Sequence, residues 1–184
     1  MRVLIIIIII CILCISSCNS KSDLLNDLQC TSERFLNLEK IEDVKKLFIV
    51  EFPDTWKTNL YYDKNQSSIY TADTTKQLTE SMLLDITYVS KKITLDSNFT
   101  VKFKTNLKNQ GLLEKTPRFL AFQNKKAYYS RAIGNKRGFD YQISNLFIKV
   151  NQNNYIHAKI EVYGDSLVDQ RICSGLQLIE KIQY

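Results

Sequence analysis

Beyond position 117 the chain alternates strand-forming segments with short polar turns, and no other feature limits its fold as tightly. "RFLAF" stops at Gln123-Asn124-Lys125, "KAYYSRAI" at Gly134-Asn135, "GFDYQISNLFIKV" at Asn151-Gln152-Asn153-Asn154, and "YIHAKIEVYG" at Gly164. The segments are rich in the aromatic and β-branched residues that suit a pleated, half-buried surface. Turns this short join neighbours that run in opposite directions, so the stretch predicts an antiparallel meander.

Strands also dominate upstream. "KLFIVEF" is an apolar run closed by the turn signal Pro53-Asp54, and "NLYYD" and "SSIYTA" flank the polar Lys64-Asn65-Gln66 as a hairpin. In "SMLLDITYV", Met82, Leu84, Ile86 and Tyr88 share one face, with Asp85 and Thr87 on the other. Two helices complete the pattern. Ser97 is the expected N-cap of the first, Phe99, Phe103 and Leu107 form its apolar face, and Gly111 ends it. The second starts from a capping-box-like Ser166 and Asp169. Val168, Ile172, Leu176 and Ile179 form its stripe, and Gly175 permits close packing on the sheet. Phe35, Leu38, Ile41 and Val44 fit either a short helix or a strand. The expected class is α+β, a central antiparallel β-sheet flanked by helices.

The chain begins with Met1-Arg2 and an apolar run over 3–13, shorter than the roughly 20 residues that span a bilayer. A positive start, a short apolar stretch and the small Ser16 and Ser17 read as an export signal. Cys11, Cys14 and Cys18 do not read as a metal site, because isoleucine surrounds them and no histidine is near. Ile15-Ser16-Ser17-Cys18 resembles the lipobox of bacterial lipoproteins. The resemblance implies cleavage before Cys18 and lipid attachment to its thiol, and two or more acyl chains give stable anchoring. The expected organisation is a signal peptide over 1–17, a tether and lead-in over 18–45, and one domain over 46–184. The expected location is extracytoplasmic, facing the periplasm or on an outer membrane where the cell has one.

Loss of Arg2 with the signal lowers the net charge from +6 to +5, since 25 basic residues become 24 against 19 acidic ones. That excess is ordinary for solubility. Nucleic acid is not an expected partner outside the cytoplasm; the expected ones are the membrane, through the lipid, and an envelope protein or ligand. Cys30 and Cys173 remain after export. They are either a disulfide that staples the two ends of the chain or two free thiols.

The segment "FIVEFPDTWKTNLYY", with Phe52-Pro53 and Trp56-Lys57, resembles the opening strand of PsbP-like domains. "YIHAKIEVYGDSLVDQRICSGLQLIEKI" resembles their closing strand and helix. The likeness covers about residues 46–182. It implies an α/β/α-layered fold and non-catalytic work: binding, assembly or stabilisation of a partner complex at a membrane.

Candidate chemistry is sparse. His157, the sole histidine, falls on the polar face of its strand with Tyr155, Lys159 and Glu161, where a structural role is expected. Asp96 and Asn98 in "LDSNFT" lack the glycine and distal glutamate of a calcium loop, and there is no glycine-rich phosphate loop. No metal or cofactor is expected. An envelope hydrolase using Asp85, Glu80 or Asp140 is the alternative to a binding module, and a purely structural envelope protein is another. Of ten tyrosines, Tyr61, Tyr62, Tyr128, Tyr129, Tyr141 and Tyr155 lie on expected strands and form the candidate binding face. The basic turns Lys125-Lys126 and Lys136-Arg137 are candidate contacts for anionic lipid.

Overall fold

The computed structural model describes residues 23–31 and 33–184. The signal segment and Cys18 lie outside the described residues. Seven strands form one antiparallel sheet, β3 (Lys57–Tyr62), β4 (Gln66–Ala72), β5 (Met82–Val89), β6 (Leu113–Phe122), β7 (Lys125–Lys136), β8 (Phe139–Lys149) and β9 (Tyr155–Tyr163). Their spatial order is β3-β4-β5-β9-β8-β7-β6. β1 (Leu38–Glu42) and β2 (Ile49–Pro53) form a separate hairpin. The helices are α1 (Asp23–Asp27), α2 (Ser97–Asn109) and α3 (Val168–Ile179).

Period-2 alternation sorts the sheet into two buried faces. Leu84 and Ile86 of β5, Ile156, Ala158, Ile160 and Val162 of β9, and Leu146 and Ile148 of β8 point to one side. There they meet α3, α1 and the β1–β2 hairpin, through Ile172, Leu176, Leu178, Leu24, Leu25, Phe48, Val50 and Phe52. On the other side Leu107 and Phe103 of α2 meet Tyr141, Ile143 and Tyr163, while Phe99 meets Tyr128 and Phe147. The result is the expected α+β class in three layers.

The lead-in departs from expectation. The stretch expected as a tether contains α1, whose Leu24 and Leu25 are each 1% exposed. The segment that fits helix or strand equally becomes β1, paired with β2 from Leu38↔Pro53 to Glu42↔Ile49. The folded unit therefore begins by Asp23, well before position 46. Two adjacent leucines in a polar stretch carry enough apolar surface to hold a single helical turn when a finished core is there to receive them.

Three local expectations also change. The cap of α2 is Asp96, whose carboxylate accepts from the Phe99 N–H at 2.9 Å, one residue before Ser97. α3 starts from Leu167, in a left-handed conformation (φ 47°) and without a side-chain cap, so Ser166 makes no capping box. β7 does not turn at Gly134-Asn135 but runs on to Lys136 and turns at Arg137-Gly138, both at positive φ. Gly134 serves a close approach instead: a Cβ there would lie 2.8 Å from the Gly111 carbonyl oxygen. Gly175 does what the stripe predicts, since a Cβ would lie 2.9 Å from Ile160 Cγ2.

Candidate functional site

At the end of the sheet where α3 begins, a cleft of about 430 Å³ opens. The β4–β5 connection supplies Asp73, Lys76, Glu80 and Ser81 to it, and the first turns of α3 supply Gln170, Arg171 and Ser174. Phe35, Trp56, Met82 and Leu167 give apolar walls.

Arg171 sets the electrostatics of this cleft. It is 8% exposed. Nη1 donates to the carbonyls of Ser81 (2.7 Å) and Tyr163 (3.0 Å), and Nη2 donates to that of Ser166 (2.5 Å). Burial pushes its pKa down, while the charges of Asp165 and Glu80 act against that shift. Three neutral acceptors hold a cation in place without neutralising it, and the charged lining around it is mixed, with Glu33, Asp73 and Glu80 against Lys76 and Arg171. Asp73 is already engaged by the Thr75 amide (3.1 Å), the Thr75 hydroxyl (2.6 Å) and Lys76 (3.5 Å).

One wall of the cleft is tied down covalently. Cys30 and Cys173 form a disulfide with Cα atoms 5.3 Å apart. Just beyond it Gln177 Nε2 donates to the Thr31 carbonyl (2.6 Å), the Glu33 N–H donates to Gln177 Oε1 (3.0 Å), and the Ser174 hydroxyl donates to the Glu33 carboxylate. These contacts lay the segment carrying Glu33 and Phe35 along α3. Of the two states open to the cysteines from sequence, the structure contains the bridge.

The tyrosines are not gathered into one binding face. Tyr61 and Tyr62 are exposed on β3. Tyr128 is buried under α2, where its hydroxyl donates to Glu114 Oε1 at 2.6 Å, and burial with that carboxylate raises its pKa. Tyr129 is buried on the opposite side, its hydroxyl 3.1 Å from Ser144 Oγ. Tyr141 is buried against Tyr163, with ring centroids 5.0 Å apart and Lys136 Nζ 4.5 Å above its ring. Tyr155 is half-buried beside Phe147. Consecutive strand residues point to opposite faces, and both faces are covered over β7 and β8, so Tyr128, Tyr129 and Tyr141 scatter through two cores.

His157 lies on the α2 side of the sheet, away from the cleft. Its ring stacks on Phe147 at 3.9 Å, and Nε2 donates to Asn145 Oδ1 at 3.0 Å. Burial, with help from Lys159, lowers its pKa to about 3, so it is neutral at physiological pH. Asp85 and Glu80 of the hydrolase reading do not converge, and Asp140 is exposed at the start of β8, its carbonyl accepting from the Gly164 N–H at 2.7 Å. Asp85 lies on the sheet face away from the cleft, 2.5 Å from Lys159 and 2.9 Å from the Thr87 hydroxyl, while Glu80 lines the cleft. Lys125-Lys126 and Lys136-Arg137 stand at opposite ends of β7, and Lys136 is paired with Glu161 at 3.1 Å.

Sequence reasoning missed Arg171, although a signal for it existed. The α3 stripe repeats at 168, 172, 176 and 179, and position 171 falls on the same side of the helix. An arginine at a core-facing position needs acceptors arranged around it. The ends of β5 and β9 supply two of them and Ser166, in the connection before α3, the third.

No family model matches the chain, and no curated protein matches it either. Solved structures do match. The solution structure of cyanobacterial PsbP (CyanoP) from Synechocystis sp. PCC 6803 aligns with a TM-score of 0.56 at 10% identity, over 84% of this chain and 96% of that one. The fold is PsbP-like. LpqN, involved in cell envelope biogenesis of Mycobacterium tuberculosis, aligns with a TM-score of 0.49 at 10% identity, over 91% of this chain and 98% of that one. Among the described residues no helix is long and apolar enough to cross a membrane.

Proposed function

We propose that the protein is a lipid-anchored, extracytoplasmic binding or assembly module, attached through Cys18 and working through non-catalytic contacts at the α3 cleft. The observation that carries this reading is the Cys30–Cys173 bridge. A disulfide belongs to an oxidising compartment, which agrees with an export signal ending at Cys18. The same bridge fixes one wall of the cleft. A preformed cleft with apolar walls and a few fixed polar groups is the usual form of a binding site. The hydrolase alternative would need two carboxylates facing one substrate, and Asp85 is turned away from Glu80.

The anchor is tested by growing cells with labelled fatty acid and comparing wild type with Cys18→Ala. Wild type is expected to carry label and the variant none; equal labelling, or none in either, sinks the anchor. Trp56, the single tryptophan, lines the cleft and reports on its occupation by fluorescence. Material co-purified from detergent extracts should change that emission when added back to stripped protein. Extracts that return no partner or ligand would count against the module.

A further inference from the structure

The β3 edge carries a second surface, separate from the cleft. β3 ends the sheet, and its residues other than Thr58 are exposed. Leu60, Tyr61 and Tyr62 are 42%, 58% and 66% exposed, a run of three apolar or aromatic side chains at one sheet margin. Among the described residues the backbone there is also unpaired on one side. The Asp63 N–H donates to the Gln66 carbonyl at 3.0 Å, which makes Asp63–Gln66 a hydrogen-bonded pair. The β3–β4 register runs without a shift from Lys57↔Ala72 to Tyr62↔Ser67. Alternation along that ladder turns the N–H and C=O groups of Asn59 and Tyr61 toward β4 and those of Thr58, Leu60 and Tyr62 outward.

We propose that β3 pairs antiparallel with β3 of a second copy of this chain, joining two seven-stranded sheets across a two-fold axis at Leu60. The outward groups and the charges select one register. Satisfying the outward groups requires Thr58, Leu60 and Tyr62 to face one another across the junction. Of the registers that do so, only the one pairing Leu60 with its own copy sets Lys57 opposite Asp63. That register places Thr58 opposite Tyr62, Asn59 opposite Tyr61, and Lys57 opposite Asp63, each twice by symmetry. Opposite charges directly across a pair stabilise it, and aromatic side chains add contact area. Asp63 has spent one oxygen, Oδ1, on the Asn65 and Gln66 amides of its turn and, among the described residues, keeps a second for Lys57 of the other copy. A self-complementary patch of this kind closes as a dimer and does not propagate, because each copy has one β3 edge.

The test uses full-length protein in detergent, with Leu60→Cys and Tyr62→Cys compared under mild oxidation on non-reducing gels. Hydrogen-bonded partners have Cα atoms about 5.5 Å apart, inside the range a disulfide bridges. Position 60 is therefore expected to cross-link into a dimer. Position 62 faces position 58 of the other copy, so two copies of it lie roughly 13 Å apart along the strand and stay unlinked. Light scattering of uncross-linked protein provides a second readout if a cysteine variant folds poorly. Lys57→Asp should weaken self-association about fivefold to tenfold, and adding Asp63→Lys should restore it. A wild-type protein that stays monomeric at every concentration, equal cross-linking at both positions, or a double variant no better than the single one overturns the proposal.

Discussion

At one margin of the sheet, β6 carries Pro117, a register shift between Lys115 and Arg118, and Thr116 at a positive φ of 48°. α1 lies against it, and Asp27 of α1 reaches Arg118 at 3.0 Å. At the other margin, β3 has a regular register, no proline, and no second strand paired to it among the described residues, and Lys45 of the β1–β2 turn donates to the Asp63 and Lys64 carbonyls just beyond its end. Unpaired strand edges template further pairing, and folded proteins block them with prolines, bulges, charges and covering segments. This chain uses three of those devices on β6, yet leaves Leu60, Tyr61 and Tyr62 exposed on β3. A fold that blocks one edge so thoroughly has the means to block both. The contrast marks β3 as a surface and β6 as a boundary.

The largest expected effect comes from releasing the guard on β6. The Cys30–Cys173 bridge closes a loop over 143 residues of sequence separation. Replacing both cysteines with alanine should cost about 4–5 kcal/mol in guanidinium unfolding, from the freed entropy of the unfolded chain. Hydrogen exchange should rise first over 23–31 and then at the outward amides of β6, with β3 unchanged. If protection falls uniformly over both edges, α1 is not a separate guard. Leu24→Ala attacks the same element through packing alone. It removes a fully buried side chain from between α1 and the core and should cost roughly 3 kcal/mol. It should also raise β6 exchange with the disulfide intact.

Much of the open edge was legible in the residues, and little of the guarded one was. "NLYYD" and "SSIYTA" announce a hairpin because alternation and a polar turn are local properties, and the β3–β4 pairing follows from them. Phe99, Phe103 and Leu107 likewise announce α2, and Gly111 its end. α1 was hidden because five residues have no helical stability of their own; it exists only through contact with a core built from residues far along the chain. Arg171 was hidden for the same reason, since two of its acceptors come from the ends of β5 and β9. The tyrosines show the opposite failure. Composition shows that they are many, but only the covering of both sheet faces decides that Tyr128, Tyr129 and Tyr141 are core while Tyr61 and Tyr62 are surface.

Acid separates the middle of the sheet from both edges. His157 is held neutral, its pKa lowered to about 3 from an ordinary 6.5. The unfolded chain binds this proton below pH 6.5 and the folded chain does not, so stability is lost as pH falls from 6.5 toward 3. At 1.36 kcal/mol per unit this group alone should cost about 2 kcal/mol by pH 5. His157→Gln should flatten that part of the stability profile. A profile unchanged by the substitution would mean that carboxylates account for the acid limb. β9 pairs with β5 and β8 at the centre of the sheet, so the loss should appear as global unfolding and not as opening at β3 or β6.

The smallest effect on stability is expected at β3, and it is the most discriminating. Leu60→Lys places a charge at the centre of the open edge, the natural way to blunt such a strand. Leu60 is 42% exposed, and its outward amide takes no part in the β4 ladder, so unfolding free energy should change by no more than about 0.5 kcal/mol. The same substitution on a two-fold axis brings two like charges face to face and should abolish self-association. Stability and association are then read on one variant, by denaturation and by light scattering. An edge exposed by default would lose neither when charged; an edge kept open for a partner loses the partner alone. A change of several kcal/mol in folding would instead place Leu60 in the core and remove the distinction between the two edges.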